Sequence, residues 1–283
     1  MKILIADSGS TKTEWMGRDT VRSTSLHFTT SGLNPCLMDD EAIADALNKE
    51  VAPQLTEAAP FDAIYFYGAG CRPDQCERMA GLLLAAIPAE KAEVASDLLG
   101  AARALCGDDE GIVAILGTGS GSAVYDGRGF TQQTPSLGFI LGDEGSGAVL
   151  GRRLLGDVFK RQLDADVIEA FDHECGVKAD EAIRRVYREA APNRYLAQFT
   201  RFLAAHRDNA SVHHLLVNEF QRFFSRNCEA YHRKDLAVNF VGSLAHVFKN
   251  ELKEAADSLG FKVGCVLRTP AESLVGYHVR KTQ

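Results

Sequence analysis

Short apolar runs separated by turns of small polar residues recur along this chain. Ile3-Leu4-Ile5-Ala6 is an unbroken apolar run that stops at Asp7, as expected of a strand buried on both faces. A turn of small polar residues follows at 8–13. Glu14-Trp15-Met16-Gly17 and residues 25–30 then read as two more strands. Residues 39–55 place Ile43, Ala46, Leu47 and Val51 at helical spacing behind acids in the first turn, which predicts a helix. Residues 63–67 predict a strand and residues 73–86 a helix. Residues 92–95 predict a short strand that delivers Ser96-Asp97, and residues 98–106 a helix.

The polar, turn-rich stretch Gly107-Asp108-Asp109-Glu110-Gly111 breaks the chain, and beyond it the pattern restarts. Residues 112–116 predict a strand, 117–122 a turn and 123–125 a strand. Asp126-Gly127-Arg128-Gly129 predicts a hairpin turn. One module, buried strand then small-polar turn then second strand, thus occurs twice with little sequence identity. A long helical region spans 146–234. Val238-Asn239-Phe240-Val241 reads as the final clear strand, and Gly242-Ser243 leads into a helix over 246–259. At 283 residues the chain is long for one core. It divides into an N-terminal lobe, 1–108, and a C-terminal lobe, 109–269, with a helical insertion.

Composition narrows the classes. The chain is 46% hydrophobic and 24% charged, which is ordinary for a globular protein, and its formal net charge is −7. No run of Lys and Arg offers nucleic acid a basic face. No apolar run approaches the roughly 18 residues of a membrane span, and the N-terminal run is too short for a secretory signal, so a cytoplasmic protein is expected. Seven cysteines are scattered without a Cys-x2-Cys. Cys71 and Cys76 form the one close pair, read as buried or incidental thiols or as a pair of metal or cluster ligands. The eight histidines show no metal-ligand spacing.

Several motifs carry candidate chemistry. The first turn lacks the spacing of a P-loop and is followed by strands, where Rossmann and P-loop folds need a helix. It reads either as a plain hairpin or as a phosphate-wrapping hairpin. In the second case Gly9, Ser10, Thr11 and Thr13 supply backbone and hydroxyl donors and Lys12 supplies charge. Asp7 could then hold Mg2+ through water. The second turn, Gly117-Thr118-Gly119-Ser120, is weak alone. Paired with the first, it suggests two hairpins clamping one triphosphate. Asp97 reads as a helix N-cap or as the general base that phosphoryl transfer to an alcohol needs, and the two are compatible. Gly142-Asp143-Glu144-Gly145-Ser146-Gly147 offers helix-start acids or a loop whose carboxylates bind vicinal hydroxyls. Asn34, in a Gly-Leu-Asn-Pro turn, forms the turn or touches substrate. Gly242-Ser243 links strand to helix or seats a flat base.

Together these residues resemble the sugar-kinase, heat-shock ATPase and actin superfamily. Its first phosphate motif is matched by residues 7–13, its second by Leu116-Gly117-Thr118-Gly119-Ser120, and its adenosine motif by Phe240-Val241-Gly242-Ser243. Gly117-Thr118-Gly119-Ser120 with Gly142-Asp143-Glu144-Gly145-Ser146 is similar to the N-acetylglucosamine kinases of the BadF/BadG-type ATPase family, and the resemblance covers essentially the whole chain. It implies an α/β fold of two ribonuclease-H-like lobes of the actin and hexokinase type with a cleft between them. A last helix, about 270–283, would return to the first lobe. It further implies an ATP-dependent kinase that phosphorylates the 6-hydroxyl of an amino sugar, N-acetylglucosamine first, and works as a Mg2+-dependent homodimer. By that resemblance Asp97 is the base. Asn34, Asp97, Thr118, Gly138 and Asp143 contact the sugar, Asp7 is the magnesium-linked acid, and Gly242 and Ser243 contact adenosine. Two departures are visible: Ser8 and Ser10 replace usual glycines, and Leu137 stands where an aromatic is frequent. The alternatives are an N-acetylmuramate or glucosamine kinase, an iron–sulfur ATPase activating a 2-hydroxyacyl-CoA dehydratase-type partner, and a non-catalytic sugar sensor. The last should lack the base and carry a DNA-binding extension.

Overall fold

The N-terminal apolar run forms β1 (Lys2–Ser8), which goes on past Asp7. The computed structural model describes residues 1–9 and 11–281, so Ser10 of the first turn and the last two residues of the expected C-terminal helix lie outside the described residues. β2 (Lys12–Asp19) and β3 (Thr24–Ser31) follow, so Lys12 and Thr13 of the expected turn already belong to a strand. The predicted helix over 39–55 is broken into three. Asp39 caps α1 (Asp40–Ala46), a π turn spans Leu47–Val51, and a 3-10 turn over Ala52–Leu55 contains Pro53, which lacks the N–H a continuing helix needs. Next come β4 (Ala63–Gly68), α2 (Pro73–Ala86), β5 (Ala92–Ser96) and α3 (Asp97–Cys106).

The second half opens with β6 (Glu110–Leu116), β7 (Ser120–Asp126) and β8 (Phe130–Thr134). A helical stretch follows: the single turn α4 (Gly138–Leu141), then α5 (Gly147–Phe159), α6 (Ala165–Glu174), α7 (Ala179–Arg188), α8 (Pro192–Ala197), α9 (Thr200–Ala205) and α10 (Ala210–Phe223). A second π turn, Phe224–Cys228, extends α10. β9 (Ala237–Val241), α11 (Ser243–Val247), α12 (Lys249–Ser258), β10 (Lys262–Leu267) and α13 (Ala271–Lys281) complete the chain. β9 is therefore not the last strand. β10 contains Gly264, shifts register between Val263 and Val266 and lies at a sheet edge, so it shows no alternating apolar pattern.

The chain falls into two units, Met1–Asp108 with Thr269–Gln283, and Asp109–Arg268. The first holds a sheet ordered β3-β2-β1-β4-β5 and the second a sheet ordered β8-β7-β6-β9-β10. In both, the first three strands pair antiparallel and the last two run parallel to the first. The sheet of the first unit is buried on both faces. Leu4, Ala6, Trp15 and Phe66 pack with Met79 and Leu83 of α2, while Ile3, Ile5, Tyr65 and Tyr67 pack with Leu274 of α13. The second unit has one large core in which Phe220, Phe223, Phe224 and Phe240 join the helices to the sheet.

Candidate active site

In the first unit, the parallel strands β1, β4 and β5 end together at Ser8, Gly68 and Ser96, and the candidate acids Asp7 and Asp97 lie at that C-terminal edge. Asp7 lies opposite Glu14 in the β1–β2 register, so both carboxyls leave the same face. In the tight turn, the Gly9 N–H donates to the Lys12 carbonyl at 3.0 Å, and Gly9, Thr11 and Lys12 are exposed. Ser8 and Thr13 are fully buried, and their hydroxyls bond each other at 2.8 Å. Thr13 Oγ1 donates to the Ser31 carbonyl at 3.0 Å, and the one Ser8 hydroxyl hydrogen is shared between Thr13 Oγ1 and the Leu33 carbonyl, 2.9 Å from Ser8 Oγ. The Thr13 hydroxyl is thus engaged inside the sheet because β2 already begins at Lys12.

Asp97 is the first residue of α3, and the cap is Ser96, whose Oγ accepts from the Leu99 N–H at 3.2 Å. The capping job read for Asp97 belongs to its neighbour. The Asp97 Oδ1 accepts from the Leu98 N–H at 2.9 Å, which fixes the carboxyl at the helix start. Burial raises its pKa, and that hydrogen bond opposes the rise. Asp7 is pushed up to about 7, first by burial, then by the charges of Asp97 and Glu14, with Lys12 opposing. A carboxyl so crowded by other acids gains from a nearby cation, which fits a hydrated Mg2+ beside Asp7. Among the described residues no group of three or more His, Cys, Asp or Glu is arranged to hold a metal.

Asn34 sits just past β3. Its carbonyl accepts from the Leu37 and Met38 N–H groups, its Oδ1 accepts from the Cys36 N–H at 2.9 Å, and a side chain at Gly70 would collide with that Oδ1. Asn34 therefore builds its own turn and abuts the loop after β4. Cys71 is buried, and burial pushes its thiol up to about 12, which keeps it protonated while no metal binds it.

In the second unit, the turn between β6 and β7 and the loop before α5 are one hydrogen-bonded piece. The Gly147 and Ala148 N–H groups donate to the carbonyls of Gly117 (2.8 Å) and Thr118 (3.1 Å). The Ser120 N–H donates to Asp143 Oδ1 at 3.3 Å, and Gly119 lies against the same carboxylate. Asp143 has φ +55°, and burial raises its pKa. Ser146 caps α5. Gly138 is exposed at the start of α4 with φ +73°. Gly242 has φ +138° and passes so close to the end of β6 that a Cβ there would sit 2.0 Å from the Leu116 carbonyl oxygen. Only glycine fits this approach, which brings the Gly242-Ser243 link beside the Gly117 turn.

Sequence reading missed the buried Glu14, whose Oε1 pairs with His27 at 2.8 Å, and it offered Glu144 together with Asp143 to vicinal hydroxyls, whereas the buried Glu144 carboxylate is taken by Arg226 and Asn227. Glu144 was visible inside the glycine-rich motif, but nothing local marks its partners in the helical region.

No protein-family model and no curated protein matches the chain. Solved structures do. A candidate N-acetylglucosamine kinase from Porphyromonas gingivalis is 45% identical with a TM-score of 0.95, and the match covers 99% of this chain and 100% of that one. A second candidate N-acetylglucosamine kinase, from Chromobacterium violaceum, is 18% identical with a TM-score of 0.73, covering 98% of each chain. A ROK family glucokinase from Streptomyces griseus, in complex with glucose and AMPPNP, is 14% identical with a TM-score of 0.55, covering 98% of each chain. The latter two share the fold.

Proposed function

The chain belongs to the N-acetylglucosamine kinase-like branch of the BadF/BadG-type ATPases, within the sugar-kinase, heat-shock ATPase and actin superfamily, and on that premise we propose that it transfers the γ-phosphoryl group of Mg-ATP to the 6-hydroxyl of N-acetylglucosamine. It is an ATP-dependent sugar kinase. The observation that carries the reading is the Asp97 carboxyl, which Ser96 frees from capping, the Leu98 N–H orients and burial makes more basic.

In this reading Asp97 takes the proton of the 6-hydroxyl as its oxygen bonds to the γ-phosphorus. The bond from that phosphorus to the bridging oxygen breaks, and ADP leaves with the electron pair. The exposed turn at Gly9, Thr11 and Lys12, with Ser10 beside them by sequence, offers donors and one positive charge to phosphate oxygens. The turn at Gly117, Thr118, Gly119 and Ser120 offers a second set. The Thr13 hydroxyl keeps the first hairpin closed, leaving its backbone as the part that can meet phosphate. Asp143 and Thr118 belong to one hydrogen-bonded piece, which suits a sugar contact next to a phosphate contact. Asn34 and Gly138 complete the proposed sugar contacts, and Gly242 and Ser243 the adenosine seat. Asp7 would hold magnesium through water, and the ion would offset charge on the transferring phosphoryl group. The family resemblance also supports a cytoplasmic homodimer, which cell fractionation and sedimentation test. Among the described residues no helix is long and apolar enough to cross a membrane.

Coupled ADP release with Mg-ATP across N-acetylglucosamine, N-acetylmuramate, glucosamine, N-acetylmannosamine and glucose tests the reading. N-acetylglucosamine should stimulate most. Asp97→Asn should lower kcat by ~10²-fold or more while sugar binding is largely kept. Full activity in that variant would remove Asp97 from the chemistry.

A further inference from the structure

Glu144 has no part in the scheme above, yet it is only 8% exposed and both its carboxylate oxygens are taken. Oε1 accepts from Nε of Arg226, and Oε2 accepts from Nδ2 of Asn227 at 3.3 Å. The same Asn227 amide donates to the Phe223 carbonyl at 3.2 Å. Arg226 and Asn227 lie in the π turn Phe224–Cys228, a geometry that recurs at functional sites. Each residue turns a helix by about 100°, so a turn one residue shorter would swing this pair away from Glu144.

On either side of Glu144 the backbone is left-handed, at Asp143 (φ +55°) and Gly145 (φ +71°). Gly145 adopts this freely, and Asp143 does so at a smaller cost than most side chains, a cost its surroundings must still offset. The loop is seated against the end of α10, where a Cβ on Gly145 would lie 3.1 Å from Phe223 Cβ. Glu144 anchors it there through a charged group. The Asp143 carboxylate, which meets the Ser120 N–H of the phosphate turn, takes its direction from that backbone.

We infer that Glu144, clamped by Arg226 and Asn227, is a positioning residue that fixes Asp143 in its left-handed conformation and so aims its carboxylate at the amino sugar. The inference rests on the kinase reading for the identity of the ligand, but the clamp itself lies wholly within the second unit. Sugar affinity then depends on an ion pair that does not touch sugar. Because Asp143 also holds Ser120, loosening the clamp weakens the coupling between sugar and nucleotide binding.

The test uses the full chain with Glu144→Gln, Arg226→Ala and Arg226→Lys. Glu144→Gln and Arg226→Ala should raise the KM for N-acetylglucosamine on the order of 10- to 100-fold, with a smaller effect on kcat. Arg226→Lys keeps the charge and should stay within a few-fold of wild type. Amide hydrogen exchange over 142–147 should speed up in the first two variants while the melting temperature holds. If Glu144→Gln does not fold, Arg226→Ala carries the test, since that side chain is 58% exposed. Unchanged KM and unchanged exchange in folded Arg226→Ala would overturn the clamp. If no sugar stimulates ADP release by the wild-type protein, the kinase reading falls, and exchange over 142–147 still decides the clamp.

Discussion

Asp7 is a carboxyl that the fold does not favour in its charged form. Its pKa rises from 3.8 in the unfolded chain to about 7. The stability linked to it is therefore fully present below pH 3.8 and is lost as pH rises through about 7. At pH 8, without a divalent cation, Asp7 should cost up to a few kcal/mol, less in so far as solvent reaches it. Asp7→Asn should accordingly melt higher than wild type at pH 8 without magnesium, melt alike at pH 4, and lose magnesium-dependent activity. Melting curves across that range check it, and a gap that does not grow with pH would show that the acids around Asp7 are already compensated. That Asp7 and Asp97 come at strand ends was legible, because each follows an apolar run among small residues. Their division of labour was not. Ser96 and Asp97 are adjacent and both are good caps, so a one-residue shift in the helix start decides which is freed. Thr13 looked like a phosphate donor because the sequence does not say that β2 starts at Lys12 and turns its hydroxyl inward. Glu144 and Arg226 are separated by 82 residues, and only tertiary structure pairs them.

At the scale of elements, α13 is held on the first sheet by a polar centre inside an apolar contact. The His278 ring stacks on Tyr65 with centroids 3.5 Å apart, and its Nε2 meets the Tyr67 hydroxyl at 2.7 Å. That hydroxyl also accepts from Arg103 at 2.7 Å, and Arg103 is shared with Glu93 at 3.1 Å. An arginine only donates, so the tyrosine hydrogen is left for Nε2, and this assignment needs a neutral imidazole. Burial, then the charges of Arg103 and Lys91, depress the His278 pKa to about 3. Its contribution is thus complete above pH 6.5 and is lost as pH falls toward 3. His278→Phe keeps the stacking and leaves the Tyr67 O–H without its acceptor, while the bond from Arg103 remains, so it should lose about 1–3 kcal/mol at pH 7. The deficit should shrink by pH 4.5, because only wild type then carries the cost of an uncharged His278. Urea unfolding at the two pH values measures this. An equal deficit at both would place the titration elsewhere. The elements themselves were legible wherever an apolar run is buried on both faces, as in β1, β4 and β6. β10 and the two π turns were not, because an exposed edge strand has no strong period and a π turn differs from an α-helix by a single hydrogen-bond step.

At the scale of the whole molecule, the strand–turn–strand module read twice in the sequence becomes two sheets with the same strand order. The duplication was visible because strand burial and turn chemistry repeat even where residues do not. The units differ in how they are closed. The second runs unbroken from Asp109 to Arg268 and has its own aromatic core, so residues 109–268 should fold alone and unfold cooperatively. The first is discontinuous in sequence. Without α13, whose Leu274 is fully buried against them, Ile3, Ile5 and Tyr65 on one face of the sheet would be exposed. Each such side chain is worth about 1.5–3 kcal/mol on burial, comparable to a large share of a domain's net stability. Residues 1–108 alone should therefore be unfolded or aggregated, and the same segment joined to 269–283 by a flexible linker should recover a cooperative thermal transition. Circular dichroism melts of the three fragments test this. A cooperative transition in 1–108 alone would mean that α2 and its side of the sheet suffice, and that α13 serves function more than folding.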